Sequence, residues 1–121
     1  MFIEKIEWLD KEEKEAILEV ASGENCVTCF SHPCAYNIGD ILNEPLECLN
    51  TDNIITSDTY GCFIEKGEDT FKYIIRGRLK DKQNGYVEVS GFLLHIDENR
   101  IPNDVETGMY IQFAVSRIDV W

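Results

Sequence analysis

With 121 residues, 44% of them hydrophobic, and a net charge of -12, the chain has the size of one domain and an ordinary share of core-forming side chains. This composition argues against disorder, a collagen-like repeat or a coiled coil. No apolar run approaches the roughly 20 residues of a membrane-spanning helix, and five cysteines make an odd number that suits free thiols better than a disulfide framework.

The first residues, Met1-Phe2-Ile3-Glu4-Lys5-Ile6-Glu7, place carboxylates where a secretory signal would be apolar. A cytoplasmic protein with reduced thiols is expected. Residues 5–21 admit two readings. Their Glu, Lys, Leu and Ala favour a helix. The cluster Asp10-Lys11-Glu12-Glu13-Lys14 reads equally well as a tight loop between two strands, which is the preferred reading. A hairpin is expected over Glu15–Ala21 and Asn25–Ser31, turning at Gly23-Glu24, with Val20 opposite Val27 and Leu18 opposite Cys29 on a buried face.

Further along, Tyr36-Asn37-Ile38-Gly39-Asp40-Ile41 reads as a turn leading into an extended segment, continued by Pro45–Leu49 with Leu46 and Cys48 on one side. Thr59–Glu65 and Phe71–Ile75 flank a turn at Lys66-Gly67-Glu68-Asp69. A long hairpin is expected between Tyr73 and Ile96, centred on Asn84-Gly85 as a type I′ turn. That centre sets Leu79 opposite Ser90, Gly77 opposite Phe92, Ile75 opposite Leu94 and Tyr73 opposite Ile96. Phe92 would then cover the strand glycine. Met109–Arg117 has strong β propensity and follows turns at Ile101–Asp104 and Thr107-Gly108.

This order of pieces resembles an OB-fold, on the segments Ile38-Gly39-Asp40-Ile41, Asn84-Gly85 and Gly108-Met109-Tyr110-Ile111-Gln112-Phe113. The resemblance implies an all-β or mostly β domain over residues 1–121: a small closed or partly open barrel with at most one short helix. OB-folds commonly bind single-stranded nucleic acid or oligosaccharide, or serve as protein-interaction modules.

Two segments carry candidate chemistry. Cys26, Cys29, His32 and Cys34 lie within nine residues and supply the ligand types of a zinc site. In a strand, however, Cys26 and Cys29 point to opposite faces, so buried structural thiols beside a loop are the preferred reading. A nucleophilic Cys34 or Cys29 with His32 as base lacks an orienting third group and an oxyanion loop. No enzyme activity and no cofactor are expected. His95 and Asp97-Glu98-Asn99 read as a surface histidine and a solvated turn.

The second segment is a stripe, Lys72, Arg76, Arg78, Lys80 and Lys82, sharing one strand parity with Tyr86 nearby. It offers a nucleic-acid-binding alternative. Neutralisation of neighbouring carboxylates such as Glu88 is the plainer reading, and Tyr73 and Phe71 share the parity of the core.

Charge asymmetry decides the preferred function. Residues 1–60 hold 13 carboxylates and 3 cations, and no Lys or Arg occurs between Glu15 and Glu65. An acidic protein-interaction module is expected, of the inhibitor or immunity type, docking a basic partner such as a nuclease. Nucleic acid and membranes are not the expected partners. Candidate partner-binding residues are Glu19, Glu24, Tyr36, Asp40, Glu44, Glu47, Asp52, Asp58 and Tyr60, with Trp8 as a further aromatic anchor.

Overall fold

Between Glu15 and Ser22 every second side chain is apolar, the pattern of a strand with one buried face. In the computed structural model, which describes residues 1–121, this segment is strand β2 (Glu15–Ser22), between β1 (Phe2–Asp10) and β3 (Asn25–Ser31). Ala16, Leu18 and Val20 are fully buried. The charged cluster before them is a loop. Asp10 Oδ1 accepts the amides of Glu12 and Glu13 at 3.0 and 3.1 Å. Period-2 burial thus overrides the helix propensity of the same residues. Gly23 turns β2 into β3 at φ 60°, and Leu18 pairs with Cys29 and Val20 with Val27 in the expected register. The following turn docks on β1: Gly39 donates to Ile3 O at 2.7 Å and Leu42 to Met1 O at 2.9 Å.

Strands β4 (Leu46–Leu49), β5 (Asp52–Thr56) and β6 (Phe63–Lys66) come next. Leu46 and Cys48 are buried together on one side of β4, as their spacing predicts. β5 carries no clear sequence signal. Its Asn53 adopts φ 55°, where a register shift interrupts the pairing with β10 (Tyr110–Val115). β6 pairs with β7 (Tyr73–Asp81) about the expected turn, with Ile64 opposite Ile75.

The long hairpin differs from its expected form. Asn84-Gly85 is not a two-residue turn, since only Gly85 has positive φ, at 71°. Asp81 binds both the amide and the side-chain nitrogen of Asn84, shaping a longer loop. Register therefore shifts, and Leu79 faces Val87 rather than Ser90. The I′ geometry lies one turn later, at Ser90 (φ 48°) and Gly91 (φ 87°). That turn splits the expected second strand into β8 (Tyr86–Val89) and β9 (Phe92–His95), which pair with each other. Phe92 consequently pairs with Val89 and not with Gly77.

Beyond a 3₁₀ turn at Glu98–Arg100, β10 pairs with β7, and β11 (Arg117–Asp119) follows it. All eleven strands form one sheet, ordered β1-β2-β3-β11-β4-β9-β8-β7-β10-β5, with β6 also on β7. Its two end strands, β1 and β5, share no ladder, so the fold is nearly all β on a single sheet that does not close. The halves meet over one core of 26 buried residues, with Phe92, Phe113 and Ile75 at its centre. Across that core the Thr28 amide donates to the Tyr73 hydroxyl at 2.8 Å and Lys66 Nζ to Thr28 Oγ1 at 3.3 Å. Side chains from β6 and β7 thus reach β3, with which neither strand shares a ladder. No helix is long and apolar enough to cross a membrane.

Candidate functional site

The fourteen carboxylates from Glu4 to Glu65 find almost no positive partner. Asp52 lies 3.7 Å from Arg100, and Glu47 meets His95; the other twelve make no ion pair. Cations of the second half sit instead beside their own neighbours. Lys72 pairs with Asp69 at 3.9 Å, Lys80 with Glu88 at 3.7 Å, and Lys82 with Glu106 at 4.0 Å. Most carboxylates of the first half are therefore left without a cation of the same chain.

The nine partner-binding candidates do not form one patch. Tyr36, Glu44 and Glu47 line a recess with Leu46 and Trp121, where the Tyr36 hydroxyl donates to Trp121 O. Asp58 and Tyr60 line a separate cleft with Met109 and Tyr110. Asp40 is taken up in its own turn, accepting the Asn37 amide at 2.8 Å. Glu19 accepts the Thr28 hydroxyl and the Cys26 thiol, each at 3.1 Å. Glu24 is exposed in the β2–β3 turn, and Trp8 is partly exposed on β1.

The cysteine segment spreads its groups apart. Cys29 and Cys34 are buried, whereas Cys26 and His32 are exposed. No three His, Cys, Asp or Glu side chains converge as metal ligands. Partial burial, reinforced by the Glu19 carboxylate, pushes the Cys26 thiol up to about 12. Burial also raises Cys29, strongly. Cys62 is the other exposed thiol. Iodoacetamide at pH 8, read by peptide mass spectrometry, is expected to label Cys62 well ahead of Cys26, with Cys29, Cys34 and Cys48 modified only after unfolding. Rapid labelling of Cys34 or Cys29 in the folded protein would support the nucleophile reading.

Of the cationic stripe, Arg76, Arg78 and Lys80 lie on the outer side of β7, while Lys72 and Lys82 fall just beyond its two ends. Arg76 lies over the Phe63 ring, 4.7 Å from its centroid, and donates to Gln112 Oε1 at 3.4 Å. Arg78 is the cross-strand neighbour of Tyr110. Sequence spacing did not reveal that this face also carries aromatics. Tyr60, in the loop between β5 and β6, meets Tyr110 of β10 edge to face at 5.4 Å, although the two lie fifty residues apart. Further along β10, exposed Ile55 lies opposite Gln112 and exposed Ile74 opposite Ala114.

A third arrangement is centred on His95. Its Nδ1 lies 2.6 Å from Glu47 Oε1, and its Nε2 lies 3.2 Å from Glu98 Oε2. Parallel pairing of β4 with β9 sets Glu47 opposite His95, and Asp97, capping the 3₁₀ turn through the Asn99 amide, holds Glu98 nearby. Partial burial of the imidazole opposes its charging. Hydrogen bonds and charge from Glu47 and Glu98 outweigh that effect and raise its pKa. Carboxylates engage both ring nitrogens, and the Glu47 contact braces β4 against β9. Because the folded pKa is raised, the stabilisation is present below the unfolded value of about 6.5 and is lost as pH rises through the folded one. A melting-temperature advantage of the wild type over His95→Gln is therefore expected at pH 5–6 and should shrink towards pH 8–9. An imidazole that titrates by NMR at or below 6.5 would contradict this.

Compared with protein-family models, curated proteins and solved structures, the chain matches none.

Proposed function

We propose that this protein is a non-catalytic interaction module whose acidic first half docks a basic protein, in the manner of an inhibitor or immunity-type protein. The observation that supports it is the open field of Glu4–Glu65, where twelve of fourteen carboxylates have no ion pair. Carboxylates left unpaired in this way attract a cationic partner at a distance and accelerate its encounter. The test uses a defined basic probe, the peptide acetyl-(Gly-Arg)4-amide, followed by calorimetry at 20 and 200 mM salt. Binding at low salt that weakens by about tenfold at high salt is expected, and Glu24→Gln combined with Glu44→Gln should weaken it further. Absence of binding at low salt, or affinity indifferent to salt, overturns the reading.

A second reading has its own support. Tyr60, Tyr110 and Phe63 share the outer sheet face with Arg76 and Arg78, a combination of stacking surface and cation that suits single-stranded nucleic acid. Fluorescence anisotropy with a labelled oligothymidylate at low salt decides it. No binding at micromolar protein removes it.

A further inference from the structure

Aromatic rings in this chain are repeatedly matched with a cation of the same chain. Arg117 lies 4.3 Å from the Phe30 centroid, Arg76 lies 4.7 Å from Phe63, and Lys66 lies 5.4 Å from Tyr73. The edge-to-face pair Tyr60–Tyr110 has none, and Tyr60 is 83% exposed. The pair borders a cleft of about 490 Å³ that also receives Met109, Asp58 and Asp104. Neither carboxylate has an ion pair, and no Lys or Arg lines the cleft; Arg78 neighbours Tyr110 from the β7 side, outside that lining.

The cleft wall is fixed by backbone and not only by side chains. Gly108, at φ 97°, donates to Leu79 O at 2.7 Å, and Leu79 donates to Met109 O at 2.8 Å, pinning the loop to β7. The Glu106 amide donates to Met109 Sδ at 3.3 Å, which holds the thioether in place. On the opposite side, the Ser57 amide donates to Tyr110 O at 2.9 Å, holding the segment that carries Asp58 and Tyr60. The recess is thus preorganised, and its chemistry is two π faces, a polarisable sulfur and two unpaired carboxylates.

We infer that this cleft receives an arginine side chain of the basic partner, which rests on the reading proposed above. A guanidinium is planar and weakly hydrated, so it stacks on tyrosine more readily than an ammonium does and still reaches a carboxylate with paired donors. Lysine offers a compact, strongly hydrated charge that gains less from the rings. An anionic strand is disfavoured here by Asp58 and Asp104. The cleft therefore turns a diffuse acidic field into a specific contact, because the rings and carboxylates select one side chain at one position.

Protein with 13C-labelled tyrosine, titrated with acetyl-(Gly-Arg)4-amide at 20 mM salt and followed by aromatic NMR, tests the assignment. Tyr60 and Tyr110 resonances are expected to shift together. Tyr60→Ala, at an exposed site that leaves the fold intact, should weaken binding about two- to fivefold. Asp58→Asn with Asp104→Asn should weaken it more than Glu12→Gln with Glu13→Gln, which removes the same charge elsewhere. Acetyl-(Gly-Lys)4-amide should bind more weakly and shift the tyrosines less. Salt-sensitive peptide binding without tyrosine shifts, or unaffected by Tyr60→Ala, overturns the cleft and leaves the acidic-surface reading standing. No peptide binding at all overturns that broader reading. Equal shifts with the lysine peptide overturn the choice of arginine, and larger shifts with oligothymidylate overturn the choice of a protein side chain.

Discussion

Phe92→Ala is expected to lower the unfolding free energy by about 3–5 kcal/mol, the largest single effect anticipated for this chain. Phe92 has no exposed surface and is among the largest fully buried side chains. It begins β9 directly after the Ser90-Gly91 turn, so its ring is carried into the core where the chain reverses. Truncation removes apolar surface and leaves a cavity that the surrounding strands, tied by ladders to β8 and β4, cannot collapse to fill. Leu93→Ala, one residue later on the half-buried outer side, is the matched control and should cost clearly less. Urea unfolding measures both. A cost below about 1 kcal/mol for Phe92→Ala would place that ring outside the core.

The second large effect is expected at Gly77. A Cβ there would stand 2.3 Å from Val89 Cγ2, 2.8 Å from Val87 Cγ1 and 2.8 Å from the Glu88 carbonyl oxygen. Side chains yield by rotating, but a backbone oxygen within a ladder does not. Gly77→Ala should therefore cost about 2–3 kcal/mol by overpacking. The partner in the clash is what makes the experiment informative. Adding Val89→Ala removes the closest contact and should recover part of the loss, giving a favourable coupling between the two sites. Phe92→Ala should give no such rescue. Rescue by Phe92→Ala would instead restore the hairpin register in which Phe92 covers Gly77.

That register shows where sequence reasoning stops. Asn84-Gly85 and Ser90-Gly91 are both dipeptides compatible with a tight turn, and local chemistry ranks the first higher. In the folded chain Gly85 is committed to another contact. Its carbonyl accepts the Ile96 amide at 2.8 Å, and a Cβ on it would meet Ile96 O at 2.2 Å. Such crowding comes from a residue eleven positions away, and no turn statistic contains it. By contrast, Gly23-Glu24 joins two strands that pair with each other along their whole length, so its register was legible in full.

The functional surfaces divide in the same way. The cation-free stretch from Glu15 to Glu65 is a property of composition, and the structure leaves all of its carboxylates except Glu47 and Asp52 without an ion pair. The basic stripe was visible from strand parity. The aromatics beside it were not, because Tyr60 and Tyr110 lie in segments that become neighbours only when β5 pairs with β10. His95 read as a solitary surface histidine for a similar reason. Glu47 reaches it through the parallel β4–β9 ladder, 48 residues away in sequence.

By itself, the sequence determined that this is an acidic, almost entirely β protein, where most of its extended segments lie, and which side of most of them is buried. Period-2 alternation decides those matters locally, whatever the neighbours turn out to be. Tertiary structure alone decided which strands lie side by side: that the sheet stays open, that β9 leaves β7 for β4, and that two tyrosines and two aspartates share a cleft. Each of these depends on pairing between distant segments, whose free energy comes from the assembled core and is absent from any local window of residues.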